Sequence, residues 1–150
     1  MDKTDFRILK CLKENSRENA TTIGAKINLS TSAVIERIKK MEAAGIIRQY
    51  TTIIDNEKIS NVITAFISVR LEHPKFNESF NEKVLSNNNI IECHYIAGDF
   101  DYMLKTITES GKGLESILNY IKSIEGVSLT RTLVVLSTLK NEISLLPEDI

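Results

Sequence analysis

The spacing of apolar side chains divides the chain into a helical part and a β-rich part. Over residues 1–45 apolar positions recur every three or four residues, which is the period of amphipathic helices. The pattern predicts a helix capped by Asp2, a short helix over roughly 20–27, and a helix capped by Ser30 or Thr31 that ends at Gly45. Asn28 tolerates the left-handed backbone of a tight turn and separates the last two. This arrangement is a helix-turn-helix pattern.

From residue 46 onward the apolar period shortens towards two, as in strands. Residues 46–55, IIRQYTTIID, are rich in β-branched side chains and predict an extended strand or a short hairpin. Beyond them the pattern predicts a strand over 62–71, a helix over 75–86, strands over 90–97 and 101–108, a helix over 112–124 and a strand over 127–139. This β-α-β-β-α-β order is a ferredoxin-like split βαβ unit.

The predicted fold class is therefore α+β. Its parts are a winged-type helix-turn-helix domain over 1–45, a β linker over 46–61, a βαββαβ domain over 62–140 and a C-terminal tail over 141–150. Of the 150 residues 42% are hydrophobic and 26% charged, which is typical of soluble globular proteins. Residues 1–15 carry no signal-peptide core, so we expect a cytoplasmic protein. Cys11 and Cys93 are too few for a disulfide framework, and we expect both to be reduced.

Charge is distributed unevenly along the chain. The net charge of −1 argues by itself against a nucleic-acid partner. Residues 1–60, however, carry 11 basic and 8 acidic side chains and so +3, whereas residues 61–150 carry 8 and 12 and so −4. This division favours nucleic acid at the N-terminal end.

The third predicted helix carries residue types that contact DNA. Small hydroxyl side chains at its N-terminus let a helix enter the major groove closely, and basic side chains reach phosphates or guanine. The predicted DNA-binding residues are Ser30, Thr31, Ser32, Arg37, Lys40 and Arg48. The alternative is that these basic residues only solvate an exposed helix. The turn pattern and the charge division favour DNA.

Residues 96–104, IAGDFDYML, place two carboxylates around a phenylalanine just after a glycine. Acid–base catalysis by Asp99 and Asp101 would lack a nucleophile, an oxyanion donor and a phosphate loop. A metal site with Cys93 and His94 is disfavoured because adjacent strand residues point to opposite faces. We therefore expect no catalytic residue, no metal site and no cofactor. A tight turn explains Asp99 but leaves Asp101, within the strand, less explained.

Short strings in both halves of the chain match one known family. They are DFRIL (5–9), IGAKINLS (23–30), VIERI (34–38) and MEAAGII (41–47), then ECH (92–94), GDFDY (98–102), KT (105–106) and TRT (130–132). In these strings and their order the chain resembles the Lrp/AsnC (feast/famine) transcription regulators over almost its whole length. The resemblance implies an N-terminal domain that binds double-stranded DNA. It also implies a C-terminal domain that dimerises, assembles further into octamers or similar particles, and binds a small effector, usually an amino acid.

The resemblance also implies that the effector binds at the GDFDY turn. The N–H groups around Gly98 suit an α-carboxylate, and a carboxylate such as Asp101 suits an α-ammonium group. The implied effector-binding residues are Ile96, Ala97, Gly98, Asp99, Asp101, Tyr102 and Leu133. The alternative is a hairpin that binds no ligand.

The function expected from the sequence is thus sequence-specific DNA binding and transcriptional control, tuned by a small molecule. One alternative is an effector-binding oligomer with weak or no DNA binding. The other is a small enzyme of the ferredoxin-like class.

Overall fold

The computed structural model describes residues 1–147, which form two compact units. The first unit comprises Met1–Ile53 together with the residues from Lys140 on, and the second comprises Ile54–Leu139. The described part of the first unit is helical, and the second combines helices with a sheet, so the predicted α+β class is confirmed. No helix within residues 1–147 is long and apolar enough to cross a membrane.

The helices of the first unit begin where polar side chains cap them. In the described residues they are α1 (Lys3–Glu14), α2 (Ala20–Ile27) and α3 (Thr31–Ala43). Asp2 and Asp5 form a reciprocal capping box on α1, in which each carboxylate accepts the other residue's backbone N–H at 2.9 Å. Ser30 caps α3 by accepting the Ala33 N–H at 3.2 Å. The predicted helices and their first caps are confirmed.

Two backbone positions shape the turn between α2 and α3. Asn28 adopts a left-handed φ of 59° and ends α2, as the sequence predicts. Gly24 lies where the two helices approach each other, and a Cβ there would be 2.5 Å from the Leu29 carbonyl oxygen. Such a contact has no room for any side chain, so the close approach depends on glycine.

The apolar stripes of these helices meet in one core. Its buried members are Ile8, Cys11, Ile23, Ile27, Val34 and Met41. Val34 and Met41 come from α3, so the side of α3 that carries them faces inward. The opposite side of α3 is left exposed.

The second unit folds around an antiparallel sheet. Its described strands and helices are β1 (Ile63–Leu71), α4 (Asn77–Leu85), β2 (Ile90–Tyr95), β3 (Tyr102–Thr108), α5 (Gly111–Ser123) and β4 (Val127–Val134). The strands lie in the order β2-β3-β1-β4, and every neighbouring pair is antiparallel. The predicted ferredoxin-like topology is therefore confirmed.

Both helices of this unit pack on the same face of the sheet. One cluster joins alternate residues of β1 to the apolar sides of α4 and α5: Ile67, Val69, Leu71, Phe80, Val84, Ile117 and Ile121. Side chains that alternate with these, such as Phe66 and Ser68, lie on the other face of the sheet. We call this second face the open face.

The predicted β linker over 46–61 stays a prediction, because a strand there needs a partner that the described residues of one chain do not supply. Within the described residues this segment contains no strand, and its regular structure is a 3-10 helix at Glu57–Ile59. A strand requires a hydrogen-bonded partner. The backbone N–H groups of residues 48–55 find none in residues 1–147. The β-branched composition favours a strand, but it does not supply a neighbour.

The last strand is shorter than predicted, because it ends at Val134 rather than near residue 139. Its neighbour β1 begins at Ile63, and the paired register ends where Ala65 faces Val134. One further hydrogen bond follows the last pair, from the Val135 N–H to the Thr64 carbonyl at 2.9 Å, and β1 itself begins only one residue before Thr64. The tail that follows is not wholly loose, since Glu142 Oε2 lies 3.1 Å from Lys13 Nζ on α1.

Candidate functional sites

On the exposed side of α3, residues spaced four positions apart form a row along the helix. Thr31, Ile35 and Lys39 are each one helical turn apart, and all three are exposed. Ser32 and Lys40 flank the row and are also exposed. The surface combines small hydroxyls at the start of the helix, the exposed Glu36 carboxylate midway and two ammonium groups towards its end. Its hydroxyl and ammonium groups suit a helix lying in a DNA groove. We call it the α3 outer face.

Arg37 does not belong to the α3 outer face. It lies two residues from Lys39 and so about 160° away around the helix axis. Its Nη1 atom contacts Asp2 Oδ2 and Asp5 Oδ1, each at 2.7 Å. The backbone hydrogen bonds of the capping box, together with Arg37, hold the pKa of both carboxyls below the ordinary value. Arg37 therefore ties α3 to the start of α1.

The other predicted DNA-binding residues have different local partners. The Ser30 hydroxyl caps the helix and lies 3.1 Å from the Ser32 hydroxyl. Thr31 Oγ1 donates to Thr21 Oγ1 at 3.3 Å, which links the two helices of the turn. Lys40 and Arg48 are exposed, and no ion pair of residues 1–147 includes either.

The sequence reading missed Ile35 and Lys39, although the helical period contained the signal. Val34 and Met41 fix the inward side, and Lys39 then falls opposite to it.

The connection between β2 and β3 presents backbone donors to solvent. Gly98 has a φ of 137°, a conformation that favours glycine, and the hairpin is closed by the Ile96 N–H donating to the Asp101 carbonyl at 2.8 Å. Ala97, Gly98 and Asp99 are exposed. Their N–H groups have no acceptor within residues 1–147. Free N–H groups in such a turn form a site suited to an anion.

Asp101 has a structural partner at this turn. Its Oδ2 accepts the Leu71 N–H at 2.7 Å, and its own N–H donates to the Val69 carbonyl at 2.9 Å. The carboxylate thus fastens the hairpin to the end of β1. Oδ1 accepts no hydrogen bond from the described residues, so one oxygen is available to a ligand cation.

Tyr102 points away from the exposed turn. Only 3% of its surface is exposed, and its ring packs against Phe80 with centroids 4.6 Å apart. It reaches solvent through a groove of about 480 Å³ on the helix-covered side, lined by Asn77, Asn81, Leu85, Cys93, Tyr95 and Tyr102. The structure therefore places Asp101 and Tyr102 on different sides of the hairpin.

Leu133 is also distant from the turn within one chain. It pairs with Phe66, three positions along β4 from the Thr130–Val69 pair that lies nearest the hairpin. Three strand residues span about 10 Å. The assignment of Leu133 as an effector-binding residue stays a prediction, and it requires a contact from outside this chain.

Two arginines near the turn were missed by the sequence reading. Arg70 Nε donates to the Asp99 carbonyl at 2.7 Å, and its guanidinium carbon lies 5.4 Å from the centroid of the Phe100 ring. The guanidinium carbon of Arg131 lies 5.0 Å from the same centroid. Neither guanidinium has a carboxylate partner in the described chain. Together with the free N–H groups they make this end of the sheet attractive to anions.

Metal ligation has no geometric support at this hairpin. Cys93 pairs with Leu104 on the helix-covered side, whereas His94 pairs with Met103 on the open face. Burial raises the pKa of the Cys93 thiol, which disfavours the thiolate that metals bind. In the described residues no group of three potential metal-binding side chains is close enough to hold an ion.

The open face of the sheet is apolar and partly uncovered. Phe66, Met103 and Leu133 lie on it, and Leu133 is 56% exposed. At the β2 edge of this face Lys105 Nζ lies 2.9 Å from Glu92 Oε1, an ion pair that lowers the pKa of Glu92. An exposed apolar patch with a charged rim is typical of a protein–protein interface.

Comparison with known proteins adds an independent line of evidence. Residues 64–145 match the family model described as the Lrp/AsnC ligand-binding domain, and residues 1–48 match a winged helix-turn-helix DNA-binding model. The HTH-type transcriptional regulator FL11 of Pyrococcus abyssi is 34% identical over 140 residues, covering 93% of this chain and 92% of its own length. The leucine-responsive regulatory protein of Escherichia coli is 30% identical and covers 93% and 87% respectively. A transcriptional regulator of Neisseria meningitidis, solved in complex with L-methionine, superimposes with a TM-score of 0.92 at 30% identity, over 97% of this chain and 96% of that one.

Proposed function

Because the chain belongs to the Lrp/AsnC family of transcriptional regulators, we propose that it controls transcription by binding DNA through the α3 outer face, under the influence of an amino-acid effector. The observation that carries the DNA-binding part is the α3 outer face itself. Thr31 and Ser32 stand at its groove-entering end, and Lys39 and Lys40 lie one to two turns further along. Arg48 adds an exposed cation just beyond the helix. Because a transcriptional regulator must reach DNA, we propose that the protein is cytoplasmic.

The protein acts on DNA as a homodimer, which assembles further into an octamer or a similar particle. Two copies of α3 then enter successive major grooves about 34 Å apart. The open face supports this assembly, because it exposes apolar side chains that a second copy of the chain would bury. The unpaired, β-branched residues 48–55 support it as well, since such a segment gains stability from a strand of another chain.

The effector binds at the β2–β3 turn. Its α-carboxylate accepts from the N–H groups of Ala97, Gly98 and Asp99, and its ammonium group pairs with Asp101 Oδ1 or the Asp99 carboxylate. The relative from Neisseria meningitidis was solved with L-methionine, which supports an amino acid as the ligand class here. The turn lies in a different compact unit from α3. The effector therefore acts on DNA binding through assembly, and only to the extent that it binds two assemblies with different affinity.

A salt series on DNA binding tests the first half of this proposal. We expect fluorescence anisotropy on DNA from upstream of the protein's own gene to show binding that weakens steeply between 50 and 200 mM salt, by about a thousandfold for six phosphate contacts. The Lys39→Ala variant should bind more weakly and reduce the salt slope by about one per protomer. Lys122→Ala, an exposed lysine on α5, serves as the matched control and should leave the slope unchanged. Absence of binding at low salt and micromolar protein would refute the proposal and leave an effector-binding oligomer as the function.

A thermal-shift screen over the common amino acids tests the second half. At least one amino acid should raise the melting temperature of the wild type. Asp101→Asn keeps an oxygen for the Leu71 N–H but loses the charge, so it should lose this stabilisation. Lys39→Ala should retain it. Loss of stabilisation in Lys39→Ala, or its persistence in Asp101→Asn, would contradict the assignment of the two sites.

A further inference from the structure

Ile35 stands out on the α3 outer face because it is apolar. Its side chain is 42% exposed, and it is not part of the core cluster of the first unit. Its neighbours on the same row, Thr31 and Lys39, are polar and charged. Packing inside the unit therefore does not account for an isoleucine at this position.

Ile35 lies in the part of α3 that contacts base edges in helix-turn-helix proteins. It is the fifth residue of α3 and lies one turn after Thr31. In helix-turn-helix proteins the N-terminal part of the recognition helix contacts base edges. Ser32, three residues before Ile35, is small and does not shield it. Lys39, one turn further on, is exposed and long enough to reach backbone phosphates beside the groove.

The major groove offers one prominent apolar group, the C5-methyl of thymine. An isoleucine side chain has no donor or acceptor and gains contact with that methyl alone. We infer that Ile35 is a specificity-determining residue that packs against a thymine methyl in each half-site of the operator. This inference rests on the proposed DNA-binding function and adds the base feature that the α3 outer face selects.

A double-mutant cycle between protein and DNA tests it directly. A high-affinity site is first selected in vitro with the wild-type protein, and each thymine is then replaced by deoxyuridine, which lacks only the methyl group. We expect one thymine per half-site at which deoxyuridine weakens wild-type binding by about fourfold, the value of one buried methyl-sized group. Ile35→Ala should bind the thymine site more weakly and should show no further loss with deoxyuridine.

Matched controls separate contact from general damage. Ile46 has the same 42% exposure and lies beyond α3, so Ile46→Ala should keep the full response to deoxyuridine. Ile35→Val keeps a branched apolar side chain and should retain part of the response. If Ile35→Ala fails to fold by circular dichroism, the deoxyuridine scan with wild type and Ile35→Val decides the question.

The possible outcomes distinguish this inference from the function on which it rests. If wild type binds DNA but is indifferent to deoxyuridine at every position, the inference is wrong while the DNA-binding function stands. Equal loss with deoxyuridine in wild type and Ile35→Ala also overturns it, and assigns the methyl contact to another residue. If wild type binds no DNA at any salt concentration, the proposed function fails and the inference fails with it.

Discussion

Replacing Gly24 by alanine should destabilise the first unit, although alanine is the better helix former by about 1 kcal/mol. The new Cβ would lie 2.5 Å from the Leu29 carbonyl oxygen, whereas real contacts of this kind start near 3.0 Å. The obstacle is backbone, and it leads directly into Ser30, which caps α3. The two helices of the turn must therefore move apart or bend.

The size of the effect follows from two opposing contributions. Overpacking a filled interior costs about 1–3 kcal/mol. After the gain in helix propensity, the free energy of unfolding should fall by up to about 2 kcal/mol, and the melting temperature of the first unit by roughly 4–8 °C for each kcal/mol lost. Scanning calorimetry on the full chain measures this and separates the transitions of the two units.

The same substitution at Gly111 is the control. This residue begins α5, has no left-handed φ, and a Cβ there would meet no atom within 4 Å. Gly111→Ala should therefore stabilise the second unit by about 0.4–1 kcal/mol through the unfolded chain. A Gly24→Ala variant that melts at or above the wild-type temperature would refute the reasoning, because the short contact would then not control the turn.

Three further predictions follow from contacts described above. Arg37→Gln should lower the free energy of unfolding of the first unit above pH 3.8, the ordinary pKa of its two aspartate partners. Because folding lowers the pKa of both carboxyls, the difference in stability between variant and wild type should shrink as acid titration takes the pH below that value. Asp101→Ala should cost about 1–3 kcal/mol in urea denaturation, since it leaves the buried Leu71 N–H without its acceptor, while Asp101→Asn should cost about half as much; equal losses would contradict the contact. Leu133→Glu should reduce the particle mass measured by light scattering, while changing the free energy of unfolding of the second unit by under about 0.5 kcal/mol. An unchanged particle mass would exclude the open face as the dimer interface.

Local signals in the sequence predicted most of the fold. Asp2 and Ser30 mark helix starts through hydrogen bonds that span three residues, so their partners lie within the same short string. Asn28 and Gly98 mark turns through their own backbone conformation. Strand faces followed from a period of two, and the buried side chains of β1 agree with it.

Contacts between residues far apart in the sequence could not be predicted from local patterns. Arg37 contacts Asp2, which lies 35 positions earlier in the sequence, and the residues next to Arg37 do not predict that partner. The arginines on Phe100 come together through the register between β1 and β4, which the sequence does not state. The predicted β linker depends on a contact of the same kind, since a strand is defined by a neighbour that the described residues of one chain do not provide.

One part of the candidate site could have been placed more sharply from the sequence. Asp101 and Tyr102 are adjacent, and neighbouring residues of an extended chain point in opposite directions. That alone separates the carboxylate at the exposed turn from the ring in the core. The resemblance to the Lrp/AsnC family implies one effector site for both residues, whereas strand alternation places their side chains on different sides.

The bond between Asp101 and the Leu71 N–H gives the protein a built-in spectroscopic reporter. A backbone N–H that is hydrogen-bonded to a single carboxylate at the end of a strand exchanges its hydrogen with solvent at a rate set by how often that hydrogen bond opens. An effector that engages the other oxygen of Asp101 either steadies this bond or competes with it. In both cases the exchange rate of one backbone proton reads out occupancy of the turn, in solution and without any label on the ligand.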